Sequence, residues 1–138
     1  MAHKLFVNIP VKDLDQSIAF FTELGFSFNP LFTDETATCM LIGEDAFAML
    51  LTEAKFAQFT KKPVADATAS TEAILAISCD SRDEVDVMAD KALAQGGKPS
   101  NDVDDMGFMY QRSFQDPDGH LWEVFYMDTA AMAEQFPQ

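Results

Sequence analysis

The apolar pattern at the start of the chain predicts a strand followed by a helix. Leu5 to Val11 alternates as a strand does. Asp13 or Asp15 can cap the helix that follows, because a carboxylate oxygen accepts hydrogen bonds from the first free N–H groups. Gly25 is typical of the residue just beyond a helix end. The helical stripe consists of Leu14, Ile18, Phe21 and Leu24.

The rest of the first half predicts three further strands and a short helix. A strand over 26–32 is interrupted by Asn29-Pro30, and a hairpin joins 36–42 to 46–51 across a Gly-Glu-Asp turn. Phe56 and Phe59 indicate a short helix. The polar, small-residue stretch 61–71 then has the composition of a linker.

The second half repeats this order about 70 residues later. A strand over 73–79 leads to a helix that Ser81 can cap, with Glu84 completing a capping-box pattern. Gly96-Gly97 ends the helix, and 98–103 is predicted as a weak strand.

A hairpin around Asp116-Pro117-Asp118-Gly119 closes the second half. With the turn centred between Pro117 and Asp118, we expect Arg112 to lie opposite Glu123. The same register pairs Phe114 with Leu121 and Tyr110 with Phe125. Residues opposite each other on an antiparallel pair share a face.

These elements predict an α+β fold of two βαβββ modules. Module one covers 4–60, the linker 61–71 and module two 72–128, and 129–138 forms a tail with a short helix from Thr129. Neither sheet can bury its faces alone, so we expect two sheets side by side, with the helices outside and a concave groove inside. The predicted groove residues are Phe6, Asn8, Ala48, Leu50, Ile74, Ala76, Ser78, Arg112, Phe114, Leu121, Glu123 and Phe125. The residues predicted to pack under the helices are Val7, Ile9, Phe47, Met49, Leu51, Leu75, Ile77, Trp122 and Val124.

Composition limits the classes of function. The 138 residues are 48% apolar, which excludes disorder, and no apolar run reaches the roughly 18 residues that span a bilayer. The net charge of −14 argues against a nucleic-acid surface. It favours cationic ligands, or it serves solubility alone. Cys39 and Cys79 lie in apolar runs and are expected as free, buried thiols. The start of the chain lacks a signal pattern, so we expect a cytoplasmic protein that does not bind membranes.

Several side chains are candidates for chemistry in the groove. Glu123 and Arg112 form either a ligand site or a structural ion pair. Asn8 and, less strongly, Ser78 could bind a carbonyl or hydroxyl ligand; the alternative for Asn8 is a hydrogen bond to nearby backbone. His120 follows the turn glycine and is better explained as a turn residue than as a catalytic one. The aromatic rings either recognise a flat or apolar ligand or fill the core, and they are Phe6, Phe114 and Phe125.

Two segments resemble the vicinal oxygen chelate superfamily, which contains glyoxalase I, extradiol dioxygenases and bleomycin-resistance proteins. The first is Val11-Lys12-Asp13-Leu14-Asp15-Gln16-Ser17-Ile18-Ala19-Phe20-Phe21 with Leu24-Gly25-Phe26. The second runs from Phe114 to Val124 through the Asp-Pro-Asp-Gly turn. The similarity extends over roughly 5–128 and is greatest to small bacterial glyoxalase-like proteins.

The resemblance implies a fold, an assembly and two possible functions. Metal enzymes of this superfamily take ligands at positions that correspond to Phe6, Leu50, Ile74 and Glu123. Three of these are hydrocarbons, so no metal or other cofactor is expected. Similar proteins form homodimers, so the resemblance also implies a homodimer. With the metal ligands missing, the function it implies is the binding of a small organic molecule without metal. The alternatives are a lyase or isomerase with Glu123 as base or residual metal ligand, and a vestigial site that serves only assembly.

Overall fold

The computed structural model describes residues 3–135, so Met1, Ala2 and the end of the predicted tail, 136–138, lie outside the described residues. The chain divides into two compact units between Ser70 and Thr71. Each unit has one sheet, and each follows the order strand, helix, then further strands. This confirms the predicted α+β class with two similar modules. A common groove between the sheets stays a prediction.

Unit one contains a four-stranded sheet in the order β1-β4-β3-β2. The β1–β4 pair is parallel, and the other pairs are antiparallel. Its elements are β1 (Leu5–Val11), α1 (Leu14–Glu23), β2 (Ser27–Phe28), β3 (Ala37–Leu41), β4 (Ala46–Thr52) and α2 (Glu53–Ala57).

Helix α1 begins and ends where the sequence predicts. Asp13 caps it, with its Oδ1 accepting from the backbone N of Gln16 at 3.1 Å. Gly25 follows the helix with φ of 104°, a left-handed conformation that favours glycine. The helix buries Leu14, Ser17, Phe20 and Phe21.

The β1–β4 register corrects the predicted faces of the first sheet. Phe6 pairs with Phe47, and Ile9 pairs with Leu50. Leu50 and Ala48 therefore lie on the opposite face from Phe6, and Leu50 is completely buried. Strand β4 reads Ala-Phe-Ala-Met-Leu-Leu-Thr, and such an uninterrupted apolar run does not reveal which face is which. The residues that share the face of Phe6 are Asn8, Phe47, Met49 and Leu51.

The segment predicted as one strand over 26–32 is shorter than expected. Within it only β2 forms a strand, and a 3-10 turn over Pro30–Phe32 follows. Asn29 caps that turn by accepting from the backbone N of Leu31 at 3.0 Å. Proline at the start of the turn has a φ suited to helical geometry, so the Asn-Pro pair ends the strand.

Unit two contains a five-stranded sheet in the order β5-β9-β8-β6, with a further short strand paired to β8. The β5–β9 pair is parallel and the others are antiparallel. Its elements are β5 (Ile74–Ser78), α3 (Arg82–Ala94), β6 (Lys98–Pro99), β7 (Asp104–Asp105), β8 (Met109–Gln115), β9 (Leu121–Met127) and α4 (Thr129–Gln135).

Helix α3 is capped and packed closely against the sheet. Ser81 Oγ accepts from the backbone N of Glu84 at 3.1 Å, and Glu84 Oε2 accepts from the backbone N of Asp80 at 2.9 Å. A Cβ at Gly97 would lie 2.9 Å from the carbonyl oxygen of Gln115, so the chain after the helix needs glycine to approach β8. Between helix and sheet the buried side chains include Val85, Ala89, Phe114, Trp122 and Val124.

The β8–β9 register differs by one residue from the predicted one. Arg112 pairs with Val124, Ser113 with Glu123, and Phe114 with Trp122. The connection contains five residues, 116–120, and is therefore centred on Asp118. Because side chains alternate between faces, this shift moves Arg112 and Phe114 to the face opposite Glu123.

The remaining predictions concern the weak strand after α3, the stretch between the units, the cysteines and membrane spans. The weak strand predicted over 98–103 is only β6, and β7 was not predicted. The stretch 61–71 contains no helix or strand, and both cysteines are buried and free, as expected. Within residues 3–135, no helix combines the length and apolar character that crossing a membrane requires.

Candidate functional site

The β8–β9 turn is built around the buried carboxylate of Asp116. Its Oδ1 accepts from the backbone N of Asp118 at 2.9 Å and of His120 at 3.0 Å. Its Oδ2 accepts from Trp122 Nε1 at 3.0 Å. Gly119 completes the turn with φ of 89°. These bonds fix a five-residue connection and so determine the pairing of the two strands, and His120 is a residue of this turn, as predicted.

Burial makes Asp116 electrostatically unusual. Its side chain is 3% exposed, and loss of solvation raises the pKa of its carboxyl above the ordinary value. Three N–H donors favour the charged form and offset part of that penalty. The sequence pattern identifies the turn but gives no sign of this anchoring role.

Arg112 belongs to the face of the second sheet that α3 covers. Its Nη1 lies 3.0 Å from Asp86 Oδ1 and 2.9 Å from Asp90 Oδ1, both on α3. Tyr110 also donates to Asp86, at 2.6 Å. That hydrogen bond lowers the pKa of Asp86 and raises that of Tyr110. The expected contact between Arg112 and Glu123 is therefore wrong, because α3 supplies two carboxylates on the side to which Arg112 points.

A second arginine strengthens this ionic contact between α3 and the sheet. Arg82 binds Asp105 with both guanidinium nitrogens, at 2.8 and 3.0 Å, and donates to the carbonyl of Gly107 at 2.9 Å. Its guanidinium also lies 5.1 Å from the centre of the Tyr110 ring. The hydrogen bonds from Arg82 hold the pKa of Asp105 at about 2.

Glu123 lies at the centre of the opposite face, which we call the Glu123 face. Its neighbours across the sheet are Ala76 on β5 and Ser113 on β8. Ala76 is exposed and short, so the β5 side of the carboxylate is open, whereas Ser113 on the β8 side is buried and bonded to Asn101. Along β9 the same face carries Leu121 and Phe125, two residues before and after. Glu123 is therefore a half-buried carboxylate between two larger apolar groups. The Glu123 face consists of Ile74, Ala76, Ser78, Met109, Gln111, Ser113, Gln115, Leu121, Glu123 and Phe125.

The partner of Glu123 is Gln111, which sequence reasoning missed. Gln111 Nε2 donates to Glu123 Oε2 at 2.8 Å, from a diagonal position on β8. Ser113 does not serve this role, since its hydroxyl donates to the carbonyl of Asn101 at 3.2 Å and accepts from the backbone N of Asn101 at 2.8 Å. The polar alternation of Gln111, Ser113 and Gln115 in the sequence could have indicated the correct face of β8.

The other predicted ligand-binding residues divide between the two units. Ser78 pairs with Phe125 on the Glu123 face, as the predicted phase requires. Phe114, by contrast, is 1% exposed on the covered face and belongs to the core, because the register pairs it with Trp122. Its predicted place beside Glu123 is wrong.

In unit one, Phe6 and Asn8 share a face of the first sheet. The Phe6 ring stacks on Phe47 with centroids 4.6 Å apart and planes at 12°, and Phe6 is 49% exposed. Asn8 Nδ2 donates to the carbonyl of Phe6 at 3.3 Å, which is the backbone alternative that the sequence left open. The carboxamide oxygen of Asn8 and its second N–H remain further possible ligand contacts.

The positions implied for metal ligands do not fit a bound divalent ion. Phe6 and Ile74 are hydrocarbons, and Leu50 lies on the buried face. Met49 occupies the neighbouring position on the face of Phe6, and its thioether is a soft ligand that suits few metals. Within residues 3–135, no group of three or more His, Cys, Asp and Glu side chains is placed to hold a metal.

Comparison with solved structures supports the same fold for the chain. A hypothetical protein from S. aureus is 24% identical with a TM-score of 0.76, covering 91% of this chain and 95% of that one. A glyoxalase-related enzyme from Fulvimarina pelagi is 20% identical with a TM-score of 0.76, covering 91% and 88%. A fosfomycin resistance protein from Listeria monocytogenes is 18% identical with a TM-score of 0.64, covering 91% and 93%. At these identities the likeness shows the fold alone.

The family comparison is more specific. No protein in the curated set matches the chain. The family model described as the Glyoxalase/Bleomycin resistance protein/Dioxygenase superfamily matches residues 5–124, which is most of the chain and includes both units. The chain therefore belongs to the glyoxalase/bleomycin resistance protein/dioxygenase superfamily.

Proposed function

We propose that this protein binds a small organic molecule on the Glu123 face without a metal ion. The observation that carries the proposal is the setting of Glu123: a half-buried carboxylate, held by Gln111 at 2.8 Å, with short residues on both flanks. A few polar groups within an apolar surface are typical of small-molecule sites. Phe125 and Leu121 supply apolar contact, and Ser78 offers a hydroxyl at the edge of the face.

Metal independence is supported by the side chains at the implied ligand positions. Glu123 is the one carboxylate among them, and a single carboxylate does not hold a transition metal tightly. Metal analysis of untagged protein should find far less than one equivalent per chain. A full equivalent that survives dialysis and is lost in Glu123→Gln would contradict this part of the proposal.

NMR titration tests the binding site directly. Backbone amides of ¹⁵N-labelled protein in EDTA should shift around Ala76, Gln111 and Glu123 when a mixed set of neutral, anionic and cationic fragments is added. Glu123→Gln should change the pattern, whereas Glu44→Gln, an exposed loop carboxylate with the same change of charge, should not. If no fragment shifts these amides, the proposed function is wrong.

The face of Phe6 in unit one is proposed as an additional ligand-contact surface. The exposed, stacked Phe6 ring suits a flat or apolar group, and Asn8 suits a carbonyl or hydroxyl. Phe6→Ala should weaken binding of aromatic fragments that shift neighbouring amides. Unchanged affinity would remove this surface from the proposal.

An enzymatic alternative is that Glu123 acts as the general base in lyase or isomerase chemistry. Its support is that the hydrogen bond from Gln111 engages only Oε2, which leaves the other carboxylate oxygen to accept a proton. Proton exchange at carbon next to a carbonyl, followed by NMR in D₂O on a set of α-hydroxy ketones, tests it. Exchange that depends on Glu123 would favour the enzyme over the binding protein.

We also propose a cytoplasmic homodimer. Support for association comes from the exposed apolar residues of the two edge strands, with Leu5 63% and Ile74 50% exposed. Light scattering at micromolar concentration should give twice the mass of the chain. A monomer at that concentration would contradict the assembly.

A further inference from the structure

We infer that the group bound at Glu123 is a cation, a protonated amine or amidine carried on a flat apolar body. This inference rests on the proposed function and specifies its ligand. Its starting point is the partner of the carboxylate: Glu123 accepts from the neutral amide of Gln111. Within the described residues, no lysine, arginine or histidine forms an ion pair with Glu123.

The cations of unit two are already committed elsewhere. Residues 71–138 contain fourteen acidic and four basic residues, so they carry ten of the fourteen net negative charges. Arg112 is shared between Asp86 and Asp90, and Arg82 binds Asp105. Both arginines therefore form ion pairs with aspartates, and neither forms one with Glu123.

The two lysines of unit two do not compensate Glu123 either. Lys91 lies on α3, the helix of the opposite face. Lys98 is exposed on β6, two strands from β9, and it pairs with Gln115, which is two residues along β8 from the partner of Glu123. Asp104 on β7 pairs with Gln111. It therefore adds a negative charge to the Glu123 face, on the β8 side of Glu123.

The shape of the surface selects the remainder of the ligand. The exposed, short Ala76 leaves room on the β5 side of the carboxylate, and Phe125 and Leu121 border it along β9. An amidinium or ammonium can donate to the oxygen that Gln111 leaves available, while an aromatic body contacts Phe125. Charge-assisted hydrogen bonds are stronger than neutral ones, particularly where water is partly excluded.

Three probes of nearly identical shape test the charge preference: benzamidinium, benzamide and benzoate. Isothermal titration and NMR shifts at pH 7 should give an affinity for benzamidinium about tenfold or more above that for benzamide, with benzoate weakest. Glu123→Gln should bring benzamidinium down to the level of benzamide, while Glu44→Gln leaves the ratio unchanged. Thermal melting verifies that both variants are folded.

A charge placed inside the protein gives a second, independent test. Gln111→Lys supplies Glu123 with an internal cation and should abolish benzamidinium binding. Gln111→Met removes the hydrogen bond without adding charge and should retain the preference for the cation.

Failures of the two proposals are distinguishable. Equal binding of benzamidinium and benzamide on the Glu123 face overturns the inference but leaves the small-molecule site. Preference for benzoate, or no binding of any of the three probes, also overturns it. The fragment titration then decides separately whether the face binds small molecules.

Discussion

The two faces of the β8–β9 hairpin differ in how their charged side chains are paired. On the face covered by α3, Arg112 is surrounded by Asp86 and Asp90, and Arg82 meets Asp105, so each cation has carboxylate partners within the unit. On the other face, Glu123 has the neutral Gln111. The covered face uses charge to attach a helix to a sheet. The Glu123 face keeps a charge that no basic side chain of the described residues balances.

The largest expected difference between the faces is in packing. Trp122→Ala removes a side chain that is 1% exposed and should lower the free energy of unfolding by roughly 3–5 kcal/mol. Phe125→Ala on the Glu123 face should cost less than half as much, because that ring is half-buried. Urea unfolding of both variants makes the comparison, and equal costs would show that the two faces are equally packed.

Arg112→Met tests the ionic role of the covered face. It leaves Asp86 and Asp90 without their shared guanidinium, and the loss should be about 1–3 kcal/mol, typical of hydrogen bonds to charged groups. Lys91→Met, an exposed lysine of α3, is the control and should cost about 0.5 kcal/mol or less. Binding on the Glu123 face should persist in both variants; loss of ligand in Arg112→Met alone would place Arg112 in the site after all.

Glu123→Gln tests whether the Glu123 face contributes to stability as the covered face does. The amide oxygen of glutamine can still accept from Gln111, so the free energy of unfolding should change by less than about 1 kcal/mol. Ligand affinity should fall nonetheless. A loss of stability as large as that of Arg112→Met would mean that Glu123 is structural.

The smallest effect concerns acid stability of the covered face. Since the pKa of Asp105 is about 2 in the folded protein and 3.8 ordinarily, its ion pair contributes stability above pH 3.8 that is lost as the pH falls towards 2. Asp105→Asn should melt below the wild type at pH 5, and the difference should shrink between pH 4 and pH 2. A difference that stays constant over that range would contradict the pairing with Arg82.

Much of the fold could be predicted from local sequence, since its signals are short-range. Asp13 and Ser81 cap the predicted helices, and Gly25 follows the first. The repeated strand–helix order predicted both sheets. These elements depend on neighbours within a few residues, which the sequence displays directly.

The faces of the strands were harder to predict, because they depend on register. The five-residue turn anchored by Asp116 shifts β8 by one position and exchanges Arg112 for Gln111 beside Glu123. In β4 a uniformly apolar run hides the alternation, so Leu50 was placed on the wrong face. The sequence paired Arg112 with Glu123 because their charges are opposite. The two aspartates that bind Arg112 come instead from α3, at least 22 residues earlier in the chain.

The most direct test of the central claim is a double-mutant cycle on Arg112 and Glu123, measured as free energies of unfolding. If the two side chains act separately on opposite faces, Arg112→Met and Glu123→Gln should be additive, with a coupling energy within about 0.5 kcal/mol of zero. A coupling energy well above about 1 kcal/mol would show that they form an ion pair. Glu123 would then be a structural partner of Arg112 and not a carboxylate kept for a ligand.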